Sequence, residues 1–353
     1  MRTLNLICGD ALEELRKMDS ESVQCCVTSP PYWGLRDYGI EGQLGLEKTP
    51  EEYTARMVEV FREVRRVLRD DGTLWLNLGD SYAAQTGPGF NGNKRMDSQN
   101  LNASKGIVTG LRPKNLVGIP WRIAFALQAD GWYLRSDIIW AKPNPMPESV
   151  ADRPTKAHEY LFLLSKSPHY YYDFEAIKEP VSHSQVGRIR TDQVGGKSWA
   201  ERGQHSEGGR YEKAKALPDG QANIRTARDN FRRYGSKRAE VHPGQSVGTH
   251  RPDRPESSCA MDSRNKRSVW IVATKPYPEA HFATFPPGLI QPCILAGCPK
   301  GGTVLDPFAG SGTAGIVAIN EGRNFVGIEL NPEYIEMAEA RIKRETAQQR
   351  IFV

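Results

Sequence analysis

Residues 28–33 read Thr-Ser-Pro-Pro-Tyr-Trp and close the apolar run "SVQCCVT". Two consecutive prolines fix the backbone and donate no hydrogen bonds. The chain therefore ends a strand on a rigid, donor-poor knuckle that carries one hydroxyl, Ser29, and two aromatic rings, Tyr32 and Trp33. A second cluster lies near the other end of the sequence, in "TVLDPFAGSGTAGIVAINEGRNFVGIEL" (303–330). Gly310, Gly312 and Gly315 are spaced G-x-G-x-x-G between an apolar run and a helical stretch, with Glu329 closing the next run. Glycines at that spacing let the backbone turn tightly and approach a ligand closely.

Two cofactor types use this device. A dinucleotide needs two mononucleotide halves and a pyrophosphate on the helix N-terminus. Only one strand–helix pair follows the first strand here, and Asp306 precedes the turn, where a carboxylate is a poor neighbour for pyrophosphate. An acid in that place suits a cofactor with a free ammonium, which points to S-adenosylmethionine, with Glu329 accepting from ribose hydroxyls. The six cysteines, Cys8, Cys25, Cys26, Cys259, Cys293 and Cys298, form no C-x-x-C pair. They read as buried thiols of a reducing cytoplasm rather than as zinc ligands or disulfides, and no metal is expected.

Positioning these groups requires a framework. Strands are expected at 4–7, 23–28, 73–79, 134–142, 160–166, 268–274, 303–308 and 324–330, and helices at 10–18, 50–69, 116–129, 286–297, 312–321 and 332–347. The 50–69 helix has an apolar stripe at Met57, Val60, Phe61, Val64 and Leu68, the spacing of a core-facing helix. Its start, "TPEE", reads as a capping box with Pro in the first turn, and "DDG" (70–72) is expected to close it. Strands alternating with helices predict an α/β fold, a Rossmann-like mostly parallel sheet with helices on both faces.

Residues 181–268 break the pattern. They are polar and carry 18 Lys/Arg against 10 Asp/Glu, a local balance of +8 in a chain of 353 residues and net charge +5. The chain thus divides into 1–180, a basic insert at 181–268, and 269–353. The insert reads either as a solvated tether or as an element that contacts nucleic acid. A second polar loop, 84–115, carries Lys94, Arg95 and Lys105. The N-terminus has no long apolar stretch and no run reaches the roughly 20 residues a membrane span needs, so a cytoplasmic protein is expected.

The chain resembles the DNA methyltransferases that modify exocyclic amino groups of cytosine or adenine. "DPFAGSGT" (306–313) is similar to the family's cofactor loop, "GIELNPEY" (327–334) to its ribose-binding segment, and "CGDALEEL" (8–15) to the segment whose acid, here Asp10, meets the cofactor adenine. "VTSPPYW" (27–33) resembles the catalytic motif. "HFATFPPGLI" (281–290) stands in the place of a His-x-Thr-x-Lys-Pro segment, with His281, Thr284 and Pro286 matching and Phe285 replacing the Lys. The catalytic motif precedes the cofactor loop, the permuted order of the beta subgroup, in which the target-recognition segment lies between the two. The resemblance leaves 181–268 outside it and raises the expectation that this insert reads DNA.

The resemblance implies cofactor contacts from Asp10, Asp306, Pro307, Phe308, Gly310, Gly312, Thr313, Glu329 and Asn331, and a catalytic centre of Ser29, Pro30, Pro31 and Tyr32. The Ser29 side chain and the Pro30 carbonyl each take one hydrogen of the target amine, and the Tyr32 ring stacks on the flipped base. Ser preceded by Thr is typical of cytosine-N4 enzymes, so site-specific methylation of double-stranded DNA is expected at cytosine N4, with adenine N6 as the alternative. A catalytically inactive DNA-binding protein of the same fold is a further alternative. A cognate restriction endonuclease is a candidate companion. The other acids and His158 are assigned to packing or surface pairs.

Overall fold

The computed structural model describes residues 2–83, 110–180, 263–274 and 285–349. Most of the 84–115 loop, nearly all of the basic insert, Cys259, His281 and Thr284 lie outside the described residues. Residues 1–178 with 265–353 form one compact unit and 179–264 a second. In the second unit, β6 (Glu179–Pro180) pairs antiparallel with β7 (Ser263–Arg264), and Arg264 Nε donates to Glu179 Oε1 at 2.9 Å.

The first unit is built on an eight-stranded sheet. Its strands are β1 (Leu4–Cys8), β2 (Val23–Thr28), β3 (Leu68–Leu78), β4 (Tyr133–Ala141), β5 (His158–Ser165), β8 (Val269–Ile271), β9 (Thr303–Asp306) and β10 (Asn324–Glu329). Their order is β1-β10-β9-β2-β3-β5-β4-β8, parallel except where β5 runs against β3 and β4. The late strands β9 and β10 thus lie between β1 and β2, with Cys26 beside Leu305 and Cys8 beside Glu329.

Two apolar layers cover the sheet. Alternation along β3 divides them: Leu74, Leu76 and Leu78 face one layer, and Trp75 the other. The first layer holds α1 (Ala11–Lys17), α2 (Pro50–Val67) and α3 (Ile119–Ala129); the second holds α4 (Pro287–Gly297) and α5 (Thr313–Asn320). The last helix, α6 (Pro332–Gln349), buries Ala338 and Ile342. On α2 the stripe residues Met57, Val60, Phe61 and Val64 are buried, together with Tyr53 and Val67, and Thr49 Oγ1 caps the helix by accepting from Glu52 N at 3.1 Å.

Three boundaries differ from the sequence expectation in ways that have a local cause or consequence. Asp70-Asp71-Gly72 does not close α2 but lies inside β3, because the buried Leu68 already belongs to the strand and pairs with Val23. The start of α3 is delayed to Ile119 by Gly118 at φ 79°. The strand at 268–274 shrinks to three residues at the sheet edge. Of the described cysteines, Cys25, Cys26, Cys293 and Cys298 are buried, and Cys8 is exposed. Among the described residues no helix is long and apolar enough to cross a membrane.

Candidate active site

The parallel strands end in a row along one edge of the sheet. Asp10 follows β1, Glu329 ends β10, Asp306 ends β9, Ser29 follows β2, and Gly79 follows β3. Antiparallel β5 contributes its amino end, Glu159, to the same edge. Between β9 and β2 the connections diverge, one running through α5 to β10 and the other through α2 to β3. A crevice at such a switch point, outside the carboxyl ends of the strands, is where open α/β sheets bind ligands.

At the glycine loop, Glu329 accepts from Gly310 N at 2.9 Å and from Asn331 N at 3.0 Å. Burial pushes its carboxyl above the usual range. Gly310 and Gly312 take φ 51° and 75°, the left-handed region glycine enters without strain. The third glycine serves packing: a Cβ on Gly315 would lie 2.8 Å from Ile342 Cδ1 and 2.9 Å from Phe325. Asp10 caps α1, its Oδ1 accepting from Leu12 N and Glu13 N at 2.9 and 3.0 Å. Asn331 caps α6 in the same way, through Glu333 N at 2.9 Å. Pro307 is buried and Phe308 half-buried. The Thr313 hydroxyl takes a 3.0 Å hydrogen bond from the buried Arg341, which also donates to Ser311 Oγ at 2.8 Å.

Asp306 is 1% exposed. Its Oδ1 accepts from Thr28 Oγ1 at 2.6 Å and from Phe308 N at 3.1 Å, while Oδ2 is buried without a hydrogen-bond partner. Burial pushes the carboxyl up to about 7; the two hydrogen bonds pull it down and the Glu329 charge adds to the rise. An orphaned buried carboxylate oxygen costs free energy, and a cationic group set against it recovers that cost.

At the knuckle, Tyr53 Oη donates to the Pro31 carbonyl at 2.7 Å, whereas no donor among the described residues reaches the Pro30 carbonyl. Trp33 is buried and donates to the Glu47 carbonyl at 3.0 Å, a packing role. Tyr32 is half-buried, and its ring lies so close to Gly79 that a Cβ there would sit 2.5 Å from Cε2. Its hydroxyl donates to Glu159 Oε2 at 2.7 Å and lies 3.1 Å from Asn77 Oδ1. Ser29 Oγ is 3.4 Å from both Tyr32 Oη and Asn77 Oδ1. The other Glu159 oxygen is paired with Lys142, whose ammonium lies 4.3 Å from the Trp140 ring centroid. Burial and then the Glu159 charge hold the Tyr32 phenol well above its usual range, so it keeps its proton.

The structure therefore brings Ser29, Pro30 and Tyr32 to Asp306, through Thr28. The sequence motifs give no site role to Asn77, Lys142 or Glu159, nor to the Thr28 hydroxyl, and Glu159, expected to pair at the surface or pack, bonds to the knuckle. The available signal was a polar residue interrupting an apolar strand, in "WLNLG" and at the head of "HEYLFLL".

Comparison with known proteins gives the family and the fold. The N6/N4 family model described as DNA methylase matches residues 23–340. The type II methyltransferase M.Cfr9I of Citrobacter freundii is 44% identical over 341 residues, covering 96% of this chain and 87% of its own. M.SmaI of Serratia marcescens is 42% identical over 350 residues, covering 98% and 92%. Among solved structures, the cytosine-N4-specific PvuII DNA methyltransferase superposes with a TM-score of 0.55 at 16% identity, over 98% of this chain and 93% of that one. The putative DNA modification methylase TTHA0409 of Thermus thermophilus, complexed with S-adenosyl-L-methionine, gives 0.52 at 22% identity, over 98% and 96%. At these identities the structures speak for the fold. The chain belongs to the N6/N4 DNA methylase family.

Proposed function

We propose that this DNA methylase transfers a methyl group from S-adenosylmethionine to the N4 amino group of cytosine within a short recognition sequence, on a base turned out of the duplex. The observation that carries this reading is the 2.6 Å hydrogen bond from Thr28 to Asp306, which ties the knuckle to the glycine loop. The proposed seat of the cofactor ammonium and the proposed acceptors of the target amine are thereby tied together through Thr28.

The bound cofactor supplies an electrophilic methyl on a sulfonium. Asp306 Oδ2, buried and unpartnered, is the seat for its ammonium. Glu329, with lone pairs beyond those used by Gly310 and Asn331, accepts from ribose hydroxyls, and Asp10 stands at the neighbouring strand end for the adenine. Pro307, Phe308, Gly310, Gly312 and Thr313 shape the loop around it.

An exocyclic amine is a poor nucleophile because its lone pair is delocalised into the ring. The site needs to hold the nitrogen while it rehybridises, with the lone pair aimed at the methyl. Ser29 Oγ and the Pro30 carbonyl each accept one amino hydrogen, and the Pro-Pro backbone fixes that carbonyl in advance. The 3.4 Å contacts of Ser29 are long for a hydroxyl, as catalytic hydrogen bonds often are before substrate arrives. Tyr32 offers a stacking face worth roughly 1–3 kcal/mol.

Cytosine is favoured by the Thr-Ser-Pro-Pro-Tyr sequence, which resembles the cytosine-N4 pattern. Adenine N6 presents the same amine chemistry and is the second reading. Two of the relatives compared above are named type II methyltransferases, and on that likeness a cognate restriction endonuclease is expected here. The basic insert, between 1–180 and 269–353, is proposed as the reader of the DNA sequence. Base-resolution methylation sequencing of DNA from cells expressing the protein tests the reading. N4-methylcytosine at one short motif supports it, N6-methyladenine moves it to the second reading, and unmodified DNA refutes it.

A further inference from the structure

The hydroxyls at the knuckle form a chain, Ser29 to Tyr32 to Glu159, and the direction of its hydrogen bonds decides whether Ser29 can accept. Three contacts fix that direction. Asn77 Nδ2 donates to the Tyr160 carbonyl at 3.0 Å, so Asn77 turns its acceptor, Oδ1, toward Ser29 and Tyr32. Lys142, which can only donate, occupies Glu159 Oε1. The remaining oxygen, Oε2, faces Tyr32 Oη at 2.7 Å and can only accept from it. With its single proton committed to Glu159, the Tyr32 oxygen has only lone pairs to offer Ser29. The nearest groups to Ser29 Oγ, Tyr32 Oη and Asn77 Oδ1, are then both acceptors. The Ser29 proton turns inward to them, and its lone pairs turn outward.

We infer that Glu159, anchored by Lys142, is a positioning residue that sets the polarity of this chain and so makes Ser29 an acceptor for the target amine. The inference rests on the role proposed above for Ser29. It gives the half-buried ion pair a task that packing does not explain, since Lys142 and Glu159 are 19% and 14% exposed and neither contacts the amine's two proposed acceptors.

Replacing Glu159 by Gln reverses the chain. Lys142 demands the amide oxygen, which puts the amide NH2 against Tyr32 Oη. The Tyr32 proton then turns to Asn77 Oδ1 or to Ser29, and competes for the lone pairs the amine needs. The test is a double-mutant cycle of Glu159→Gln and Tyr32→Phe, read by single-turnover methylation of a duplex, with cofactor affinity measured alongside. Glu159→Gln alone is expected to slow methyl transfer on the order of a hundredfold, the scale of losing one preorganised hydrogen bond, with cofactor affinity unchanged. In the Tyr32→Phe background it is expected to cost nothing further, because no hydroxyl remains to be reversed. The same loss in both backgrounds, or no loss in either, overturns the inference. If Glu159→Gln does not fold, Glu159→Ala with Lys142→Ala removes both charges and leaves the Tyr32 proton to turn to Asn77 Oδ1 or Ser29, and a similar loss that vanishes in the Tyr32→Phe background is expected, its absence overturning the inference. Ser29→Ala, run in parallel, separates the two levels: full activity there refutes the proposed Ser29 role itself, whereas an inactive Ser29→Ala with an additive cycle refutes only the part given to Glu159.

Discussion

Thr28 and Asp306 are 278 residues apart in sequence and 2.6 Å apart in space. The hydroxyl comes from the end of β2 and the carboxylate from the end of β9, across the point where the sheet connections diverge. The bond uses one oxygen of Asp306, and the other is buried without a hydrogen-bond partner.

That arrangement makes the ligand-free protein sensitive to pH. The Asp306 carboxyl is raised from 3.8 to about 7, so the fold favours its protonated form. The stability this contributes is present below pH 4 and is lost as pH rises through 7, on the order of 4 kcal/mol at ~1.4 kcal/mol per pH unit. Asp306→Asn is expected to flatten this fall, measured by denaturant unfolding between pH 5 and 8. On the proposed seating of the ammonium against Asp306, cofactor binding favours the ionised carboxylate and at pH 6 is expected to release a proton. Calorimetry in buffers of different ionisation enthalpy reads that release directly.

Glu329→Ala is expected to weaken S-adenosylmethionine binding by about 1–3 kcal/mol, the cost of leaving polar partners unpaired. It also removes the acceptor for Gly310 N and Asn331 N. DNA affinity without cofactor is expected to stay the same. Unchanged cofactor affinity by calorimetry would refute the ribose role.

Gly79→Ala places a methyl 2.5 Å from the Tyr32 ring. The ring must move, and the stacking face with it. The expected outcome is a fall in single-turnover rate of at least tenfold, about 1.4 kcal/mol, with cofactor affinity preserved. An active Gly79→Ala enzyme would mean that the ring's position is not needed.

The basic insert can be removed cleanly. Pro180 and Ser263 are paired across β6 and β7, so a two-residue Asn-Gly turn is able to join them in place of 181–262. The shortened enzyme is expected to bind cofactor normally and to lose sequence preference. Each lost phosphate contact flattens the slope of log affinity against log salt by about one. The same methylated sites with the same slope would make the insert a tether and assign recognition elsewhere.

The sequence displayed what depends on local pattern. The α2 stripe, the βαβ unit around Gly310 and the strand ending at Thr28 all follow from periodicity, caps and glycines, and all lie where those signals put them. The family motifs marked Ser29, Tyr32, Asp306 and Glu329 for the same reason: each is embedded in a short distinctive string. What stayed hidden depends on strands meeting. Asn77 and Glu159 are lone polar residues in apolar runs, and nothing local says that β3 and β5 bring them to one phenol. The direction of β5 was equally illegible, since an antiparallel strand in a buried sheet has the same composition as a parallel one. Reversing it is what carries Glu159 to the ligand edge rather than to the opposite end.

The position of β9 between β10 and β2 dictates an order of events at the ribosome. Strand β2 is made early, yet its second neighbour, Val304–Leu305, is synthesised about 280 residues later. At about 5–20 residues per second, β2 waits on the order of tens of seconds with one edge unpaired. During that interval Val23–Thr28 is a strand of six residues, five of them buried in the finished protein, with free N–H and C=O groups along one side. The nascent chain is therefore most prone to aggregate before residues 303–306 emerge. A chaperone that shields the Val23–Thr28 edge for that time is expected to raise the yield of folded protein.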